Sequence, residues 1–281
     1  MPPTISIFAP GNMGACLAAR LVEHGARVLT LTQGRSPATL ERARAAGMEA
    51  ADEAAICASD IILSVVPPGE AVALARRLAP FIARAEPRPV FVDCNAVSPQ
   101  TMQEIAAIIE EAGGICVDGS IIGTPPPPGG PAPVLYVSGP EAARVAVLND
   151  FGQDIRVLDA PIGAASTLKM SYAGITKGLT ALASAMILAA ERAGAGEALH
   201  EELSRSQKML LDRFARTVPD MFPKAYRWVA EMEEIAAFLG EDRPESQIYQ
   251  GIAGLYQRIA EDHAGVGAET DTLRTFVETR R

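Results

Sequence analysis

The chain holds 21 prolines, and 18 of them lie at or before Pro161. Proline lacks a backbone donor and costs about 3 kcal/mol inside a helix, so it gathers in turns and loops. This distribution divides the chain into a loop-rich first part and a second part free to form long helices, with the joint near 159–163. Only Pro219, Pro223 and Pro244 fall in the second part. At about 100–200 residues per domain, 281 residues suit two domains. The expected division is 1–160 and 161–281.

The first part alternates short β-branched runs with helical stretches. Strands are expected at 5–8, 27–32, 61–66, 90–93, 115–117, 134–138 and 155–158, and helices at 12–23, 37–46, 70–83 and 99–111. The run Ile61 to Val66 is apolar without alternation, as in a strand buried on both faces. Strand–helix alternation implies an α/β domain built on a mostly parallel sheet with helices on both faces. After Gly163 the β-rich runs stop, and helices are expected at 164–193, 197–217, 223–239, 244–262 and 268–280. The fold class is therefore a Rossmann-type α/β domain followed by an all-α domain, joined by a long helix. Residues 173–190 are apolar enough to raise a membrane span, but Lys177 and several hydroxyls interrupt them, so a buried core helix is expected. The low-complexity segment 125–133 is expected to be stiff and extended, as a surface connector or as a wall beside a pocket.

Charge and cysteine usage narrow the partners. Acidic residues outnumber basic ones 34 to 25, a net charge of −9, and no basic block is present, which argues against nucleic acid. Cys16, Cys57, Cys94 and Cys116 are scattered with no CxxC, so neither a disulfide framework nor a metal site is signalled. The first residues, Met-Pro-Pro-Thr-Ile-Ser-Ile-Phe, show no secretory signal, and a reduced, cytoplasmic compartment is expected.

The segment Ile5 to Gly14 runs a strand into a helix through Ala9-Pro10-Gly11-Asn12-Met13-Gly14. This is a dinucleotide fingerprint with Ala9 at its first glycine position. Gly11 lets the backbone approach a pyrophosphate, Gly14 lets the helix pack closely on the strand, and the helix N-terminus offers N–H groups to the phosphates. The second strand ends in Thr32-Gln-Gly-Arg-Ser36 with no carboxylate for ribose hydroxyls, whereas Arg35 and Ser36 suit a 2′-phosphate. NADP is expected in preference to NAD. Lys169 opens the long helix, with Tyr172, Thr176 and Thr180 on its face. By position alone, such a lysine either snorkels or lines a wet cavity where a lowered pKa suits proton transfer.

Four ordered segments resemble the 6-phosphogluconate dehydrogenase/β-hydroxyacid dehydrogenase superfamily: the turn at 9–14, Leu63-Ser-Val-Val-Pro-Pro68, Asp93-Cys-Asn-Ala-Val-Ser-Pro99, and Gly163 to Lys169. Asp118-Gly-Ser-Ile-Ile-Gly-Thr124 stands where that family has a further motif at a strand end. The resemblance implies that the glycine turn, Val66, Pro67 and Asn95 hold the cofactor and that Lys169 is the general acid/base. It also implies that Ser120, Ile122, Gly123 and Thr124 orient a substrate, with Tyr172 and Ala173 beside Lys169. The chain departs from the family's pattern at Ala173 (often Asn), at Ile122-Gly123 (often Ser-Gly) and at Asn95-Ala96 (often Ser-Thr), which leaves the usual small 3-hydroxy acid open as substrate. The tail from Pro219 to Glu234 resembles a less characterised branch, in which Lys224 or Arg227 reaching a substrate anion and Trp228 walling a pocket stand against a plain amphipathic core helix. A homodimer follows by the same analogy. Two other activities remain open: imine reductase-like C=N reduction, and NADPH sensing without catalysis. No GxxxxGK[ST] loop, HExxH or YxxxK pair is present, and Cys94 has no histidine near it in sequence.

Overall fold

The computed structural model describes residues 2–125, 130–240 and 242–278, so Pro126 to Gly129 of the proline-rich segment lie outside the described residues. The chain divides into two compact units, Met1–Lys169 and Met170–Arg281. The boundary between these units lies inside the long helix, whose first turn is hydrogen bonded to the sheet.

In the first unit, eight strands form one sheet. They are β1 (Thr4–Phe8), β2 (Arg27–Leu31), β3 (Glu49–Ala51), β4 (Ile61–Ser64), β5 (Val90–Asp93), β6 (Ile115–Ile122), β7 (Val134–Ser138) and β8 (Asp154–Val157). Their order is β3-β2-β1-β4-β5-β6-β7-β8. Every pairing is parallel except β6 with β7, which run antiparallel in the register Asp118↔Ser138. Strand order reverses beside β1, which opens a crevice at the carboxyl ends of β1 and β4, where doubly wound sheets take ligands.

Helices α1 (Asn12–Glu23), α2 (Pro37–Ala45), α3 (Glu53–Cys57), α4 (Ala71–Ile82) and α5 (Pro99–Glu111) accompany the sheet. Alternate strand residues feed two cores. Ile5, Ile7, Val92, Val117 and Val137 pack with Leu17 and Leu21 of α1 on one face. Phe8, Ile62, Phe91 and Cys116 pack with Leu78 of α4 and Ile105 of α5 on the other. Each such side chain contributes about 1.5–3 kcal/mol when fully buried. Ser36 and Ser98 cap α2 and α5 by accepting the Thr39 and Thr101 N–H groups, and proline follows each cap.

The long helix α6 (Ala164–Arg192) has 29 residues, about 43 Å at 1.5 Å each. It is followed by α7 (Gly196–Ser206), α8 (Lys208–Met221), α9 (Ala225–Leu239), α10 (Pro244–Ala264) and α11 (Ala268–Glu278). The single helix expected over 197–217 is two, broken at Gln207, whose φ of −138° and ψ of 40° leave the helical region. Just before the break, Ser204 and Ser206 donate their hydroxyls to the carbonyls of His200 and Glu202, a local bond that competes with helix continuation. Pro80 and Pro219 lie within α4 and α8, close to their carboxyl ends. The short elements β3 and α3 were not expected from sequence; β3 is only Glu-Ala-Ala, with no β-branched residue to announce it.

Among the described residues, α6 is the one helix long and apolar enough to cross a membrane by length and composition. Lys177 lies near its middle, paired with Glu231, and Ala181, Ile187 and Leu188 are buried in protein. These features fit a core helix.

Candidate functional site

The turn after β1 is shaped for a close backbone approach. Ala9 adopts φ +58°, the only left-handed non-glycine among the described residues. An L-residue pays about 1–2 kcal/mol for that conformation, and glycine would pay none. A Cβ on Gly14 would sit 2.4 Å from the Ala9 carbonyl oxygen, so only glycine lets α1 lie this close to β1. A Cβ on Gly11 would meet nothing within 4 Å and would project into open space. Gly11 is the N-cap of α1, no side chain caps the helix, and its first turn has no acidic residue. An uncapped N-terminus beside an open glycine is a ready site for an anion. Asn12 is exposed there, and Met13 packs partly on the core beneath.

Beyond β2 lies a cleft of about 380 Å³ lined by Gln33, Gly34, Arg35, Val66, Glu70, Leu74 and Arg77, among others. Arg35 has its Nε buried with no partner among the described residues. A buried, unpaired guanidinium nitrogen is costly and marks a place that an acceptor would fill. Ser36 is less free than the sequence suggests, since its hydroxyl meets Thr39 at both the backbone N–H and Oγ1. Three residues here escaped the sequence reading. Arg42 donates to the Pro10 carbonyl at 3.1 Å and to Thr39 Oγ1 at 3.0 Å, bracing the glycine turn. Arg77 pairs with Glu53 at the cleft, and Glu70 adds a carboxylate to its lining. No local signal marks them, because each acts across a distance in sequence.

At the ends of β4 and β5, Asn95 is 4% exposed and acts internally. It donates its amide to Ser64 Oγ and Asp93 Oδ2, both at 2.8 Å, and accepts the Val66 N–H at 2.7 Å. It thus fixes Val66, and with it the Val66-Pro67 loop, while its own amide hydrogens are taken. Burial raises the Asp93 carboxyl to about 6 against the opposing pull of its bonds to Asn95 and Ser64. Cys94 is buried, and burial first, then Asp93, pushes its thiol far up, so it is no nucleophile. The positive charge of Lys169 partly opposes that rise.

Asp118 and Ser120 point to one side of β6. Ser120 is fully buried, and its hydroxyl has no partner among the described residues. Ile122 is half-buried, Gly123 takes φ +132°, and Thr124 is exposed. In the helical unit, Tyr172 is 52% exposed and Ala173 is buried. Thr176 and Thr180 donate to the carbonyls of Tyr172 and Thr176, so the hydroxyls on that face serve the helix itself. Trp228 stacks edge-on against Tyr256 with ring centroids 5.2 Å apart, and the Lys177 ammonium lies 5.0 Å from its ring. Glu231 pairs with Lys177, whose pKa is lowered chiefly by burial. Arg227 lies 5.7 Å from the Tyr226 ring. Trp228 is half-buried, and its ring contacts are to Tyr256 and Lys177 of the same helical unit.

A sheet of this order, with a glycine turn and an uncapped helix at its switch point, defines an NAD(P)-binding protein of the hydroxyacid-dehydrogenase fold. Residues 4–155 match the NAD-binding domain of 6-phosphogluconate dehydrogenase, and residues 190–259 match a domain of unknown function, DUF1932. The chain belongs to the family that carries this 6-phosphogluconate dehydrogenase-type domain. It is 30% identical over 215 residues to an uncharacterised 28.5 kDa protein of Methanothermus fervidus, covering 75% of this chain and 81% of that one. A probable 3-hydroxyisobutyrate dehydrogenase of Mycobacterium tuberculosis is 28% identical over 43% of this chain and 40% of its own length. Among solved structures, a conserved protein described as similar to 3-hydroxyacid dehydrogenases superposes with TM-score 0.76 at 28% identity, over 93% of this chain and 98% of that one. The 3-hydroxyisobutyrate dehydrogenase of Mycobacterium tuberculosis, solved with L-serine, shares the fold at TM-score 0.72 and 21% identity, over 98% and 100% of the two chains. An imine reductase of Myxococcus stipitatus in complex with NADP+ shares it at TM-score 0.53 and 20% identity, over 98% and 100%.

Proposed function

We propose that the protein is an NADP-dependent oxidoreductase acting on the CH–OH or C=O group of a small hydroxy acid or a related compound, with Lys169 as general acid/base. The observation that carries this reading is the uncapped amino end of α1 beside the open Gly11, at the point where the strand order reverses. That is the place in the sheet where a dinucleotide-binding fold does its chemistry. The residues present fit the cofactor. Ala9, Gly11, Asn12, Met13 and Gly14 form the turn for the pyrophosphate, Val66 and Pro67 wall the next strand end under the hold of Asn95, and Arg35 with Ser36 faces the adenosine side. When bound, the nicotinamide supplies or accepts the hydride. In the oxidative direction, the Lys169 amine takes the hydroxyl proton as the C–H pair leaves carbon, and in reduction the ammonium returns it to the carbonyl oxygen. Ser120, Ile122, Gly123 and Thr124 orient the substrate, the buried Ser120 hydroxyl being an unused donor that such a molecule would satisfy.

The preference for NADP rests on Arg35, whose buried Nε has no partner among the described residues, in a cleft where Arg77 is already paired with Glu53. Fluorescence titration with NADPH and NADH tests it, and tighter binding of NADH reverses it. Lys169→Met tests the chemistry. NADPH affinity is expected to hold while turnover falls by about two to four orders of magnitude. Undiminished turnover overturns the role of Lys169. The panel should set 3-hydroxyisobutyrate and L-serine against a five-membered cyclic imine, because Ile122 and Ala173 leave that part of the pattern apolar. Reduction of the imine alone favours the C=N reading, and tight NADPH binding with no turnover on any compound favours a sensor.

A homodimer is part of the same proposal. Tyr172, Ile175, Leu182 and Met186 recur at helical spacing on α6 and are 52–63% exposed, an apolar stripe of the kind that marks an interface. Sedimentation equilibrium gives the stoichiometry, and a monomer at micromolar concentration rejects it.

A further inference from the structure

The amino end of α6 has a cap that comes from the sheet rather than from its own sequence. Gly163 and Ser166 donate their backbone N–H groups to Asp118 Oδ2 at 2.9 and 3.0 Å, and Ser166 Oγ donates to Asp118 Oδ1 at 2.7 Å. Ser138 Oγ donates to Asp118 Oδ2 at 3.0 Å and accepts the Ala165 N–H at the same distance. Asp118 on β6 and Ser138 on β7 are register partners, so both anchors sit on one rung of the sheet. All of these side chains are buried, Asp118, Ser138 and Ser166 at 0%, 0% and 1% exposure. A carboxylate so placed satisfies orphan N–H groups of the helix and lies at the positive end of its dipole. A buried carboxylate with both oxygens bonded to named donors is a stiff joint, since a shift of the helix leaves a buried polar group unpaired.

We propose that Asp118, with Ser138, is a positioning residue for Lys169. This rests on the reading of Lys169 as the acid/base. Lys169 follows Ser166 by three residues, about 4.5 Å along the axis. The clamp therefore holds the very turn from which the lysine extends and ties it to the strand whose next residues, Ser120 to Thr124, are assigned to the substrate. Proton transfer needs heavy-atom separations held near hydrogen-bonding distance, and a misplacement of about 1 Å costs on the order of a hundredfold in rate. This role does not require Asp118 to touch substrate or cofactor.

The chain has four lysines, Lys169, Lys177, Lys208 and Lys224, so each can be followed separately by mass spectrometry. Trace acetylation with acetic anhydride across pH 6–11 reports the titration of each amine without any substrate. It should be run on the wild type, Asp118→Asn and Ser138→Ala. Both variants loosen the turn that carries Lys169, so each is expected to raise the labelling rate of Lys169, Asp118→Asn more than Ser138→Ala, and to leave the other three lysines in place. With 3-hydroxyisobutyrate, kcat is expected to fall about tenfold in Ser138→Ala and about a hundredfold in Asp118→Asn, with NADPH affinity within about twofold of wild type. Should Asp118→Asn fail to fold, the milder Ser138→Ala carries the test. A Lys169 labelling profile and rate unchanged in a folded variant overturn the proposal, because a merely structural clamp would lower thermal stability and leave the amine as it was. Full turnover by Lys169→Met would instead strike the acid/base reading and leave the labelling result standing.

Discussion

The two glycines of the first turn should fail in opposite ways when each is changed to alanine. At Gly11, φ is −69° and ψ is −174°, a conformation open to any residue, and the new Cβ meets nothing within 4 Å. Reduced freedom of the unfolded chain adds about 0.4–1 kcal/mol to stability. The poorer N-cap quality of alanine removes a comparable amount. The melting temperature should therefore hold within about 2 °C. The methyl group would occupy the space that a pyrophosphate oxygen needs. The loss of one charge-assisted hydrogen bond, about 1.5–3 kcal/mol, weakens NADPH binding about ten- to hundredfold. At Gly14, the new Cβ would lie 2.4 Å from the Ala9 carbonyl oxygen and 3.3 Å from Ile7 Cγ2. Carbon–oxygen contacts need about 1 Å more, and the obstacle is backbone, so α1 has to move off β1. Overpacking of this kind costs about 1–3 kcal/mol, or about 2–12 °C in the melting temperature of a domain this size. Thermal denaturation without cofactor and fluorescence titration with NADPH separate the two effects. A Gly11→Ala variant that melts early yet binds normally refutes the division of labour, as does a Gly14→Ala variant of full stability.

Three further outcomes follow from the geometry. Ala9→Gly removes a left-handed strain of about 1–2 kcal/mol but adds about 0.4–1 kcal/mol of unfolded-state entropy. A net gain of up to about 1.6 kcal/mol should appear in urea denaturation, and a loss would show that the Ala9 methyl is packed to advantage. Asp93 titrates near 6 when folded and near 3.9 when unfolded, so the folded state holds its proton more tightly. Its contribution is whole below about pH 4 and is lost as pH rises through 6, by about 2–3 kcal/mol. Asp93→Asn should flatten that part of the stability–pH curve, and an unchanged slope between pH 4 and 6 would contradict the assignment. Glu231→Gln leaves the mostly buried Lys177 beside Trp228 without its counter-ion and should cost about 1–3 kcal/mol, tempered by the pair's partial exposure. The double variant Lys177→Met/Glu231→Gln should recover part of it, and strictly additive losses would mean the pair is not coupled.

Much of this was legible along the chain, because the signals were local. Alternation of β-branched runs with glycine- and proline-bounded helices announced a doubly wound sheet, and the apolar run Ile61 to Val66 reads as a strand buried on both faces, of which Ile61–Ser64 form β4. Gly11 and Gly14 were assigned separate tasks from spacing alone. The short strand Glu49–Ala51 and the break at Gln207 were not legible, since the first depends on a neighbour in the sheet and the second on serine hydroxyls turned back on their own helix. Asn95 shows the limit within the site itself. The family resemblance implied a cofactor contact at this position, and the structure shows its amide hydrogens directed to Ser64 and Asp93.

The sequence by itself determined the periodicities, the turn chemistry and the scarcity of proline after 161 that permits a helix of 29 residues. These are properties of neighbouring residues, governed by backbone sterics and side-chain spacing. Tertiary structure alone decided that Asp118 would accept the N–H of Gly163, 45 residues later at the start of a helix, and that Arg42 would brace a turn 32 residues earlier. It also decided that Arg77 and Glu70 would share a cleft with Arg35. Such pairings depend on where the pleat and twist of the sheet bring distant strands together, and a carboxylate or guanidinium has no partner until that geometry exists.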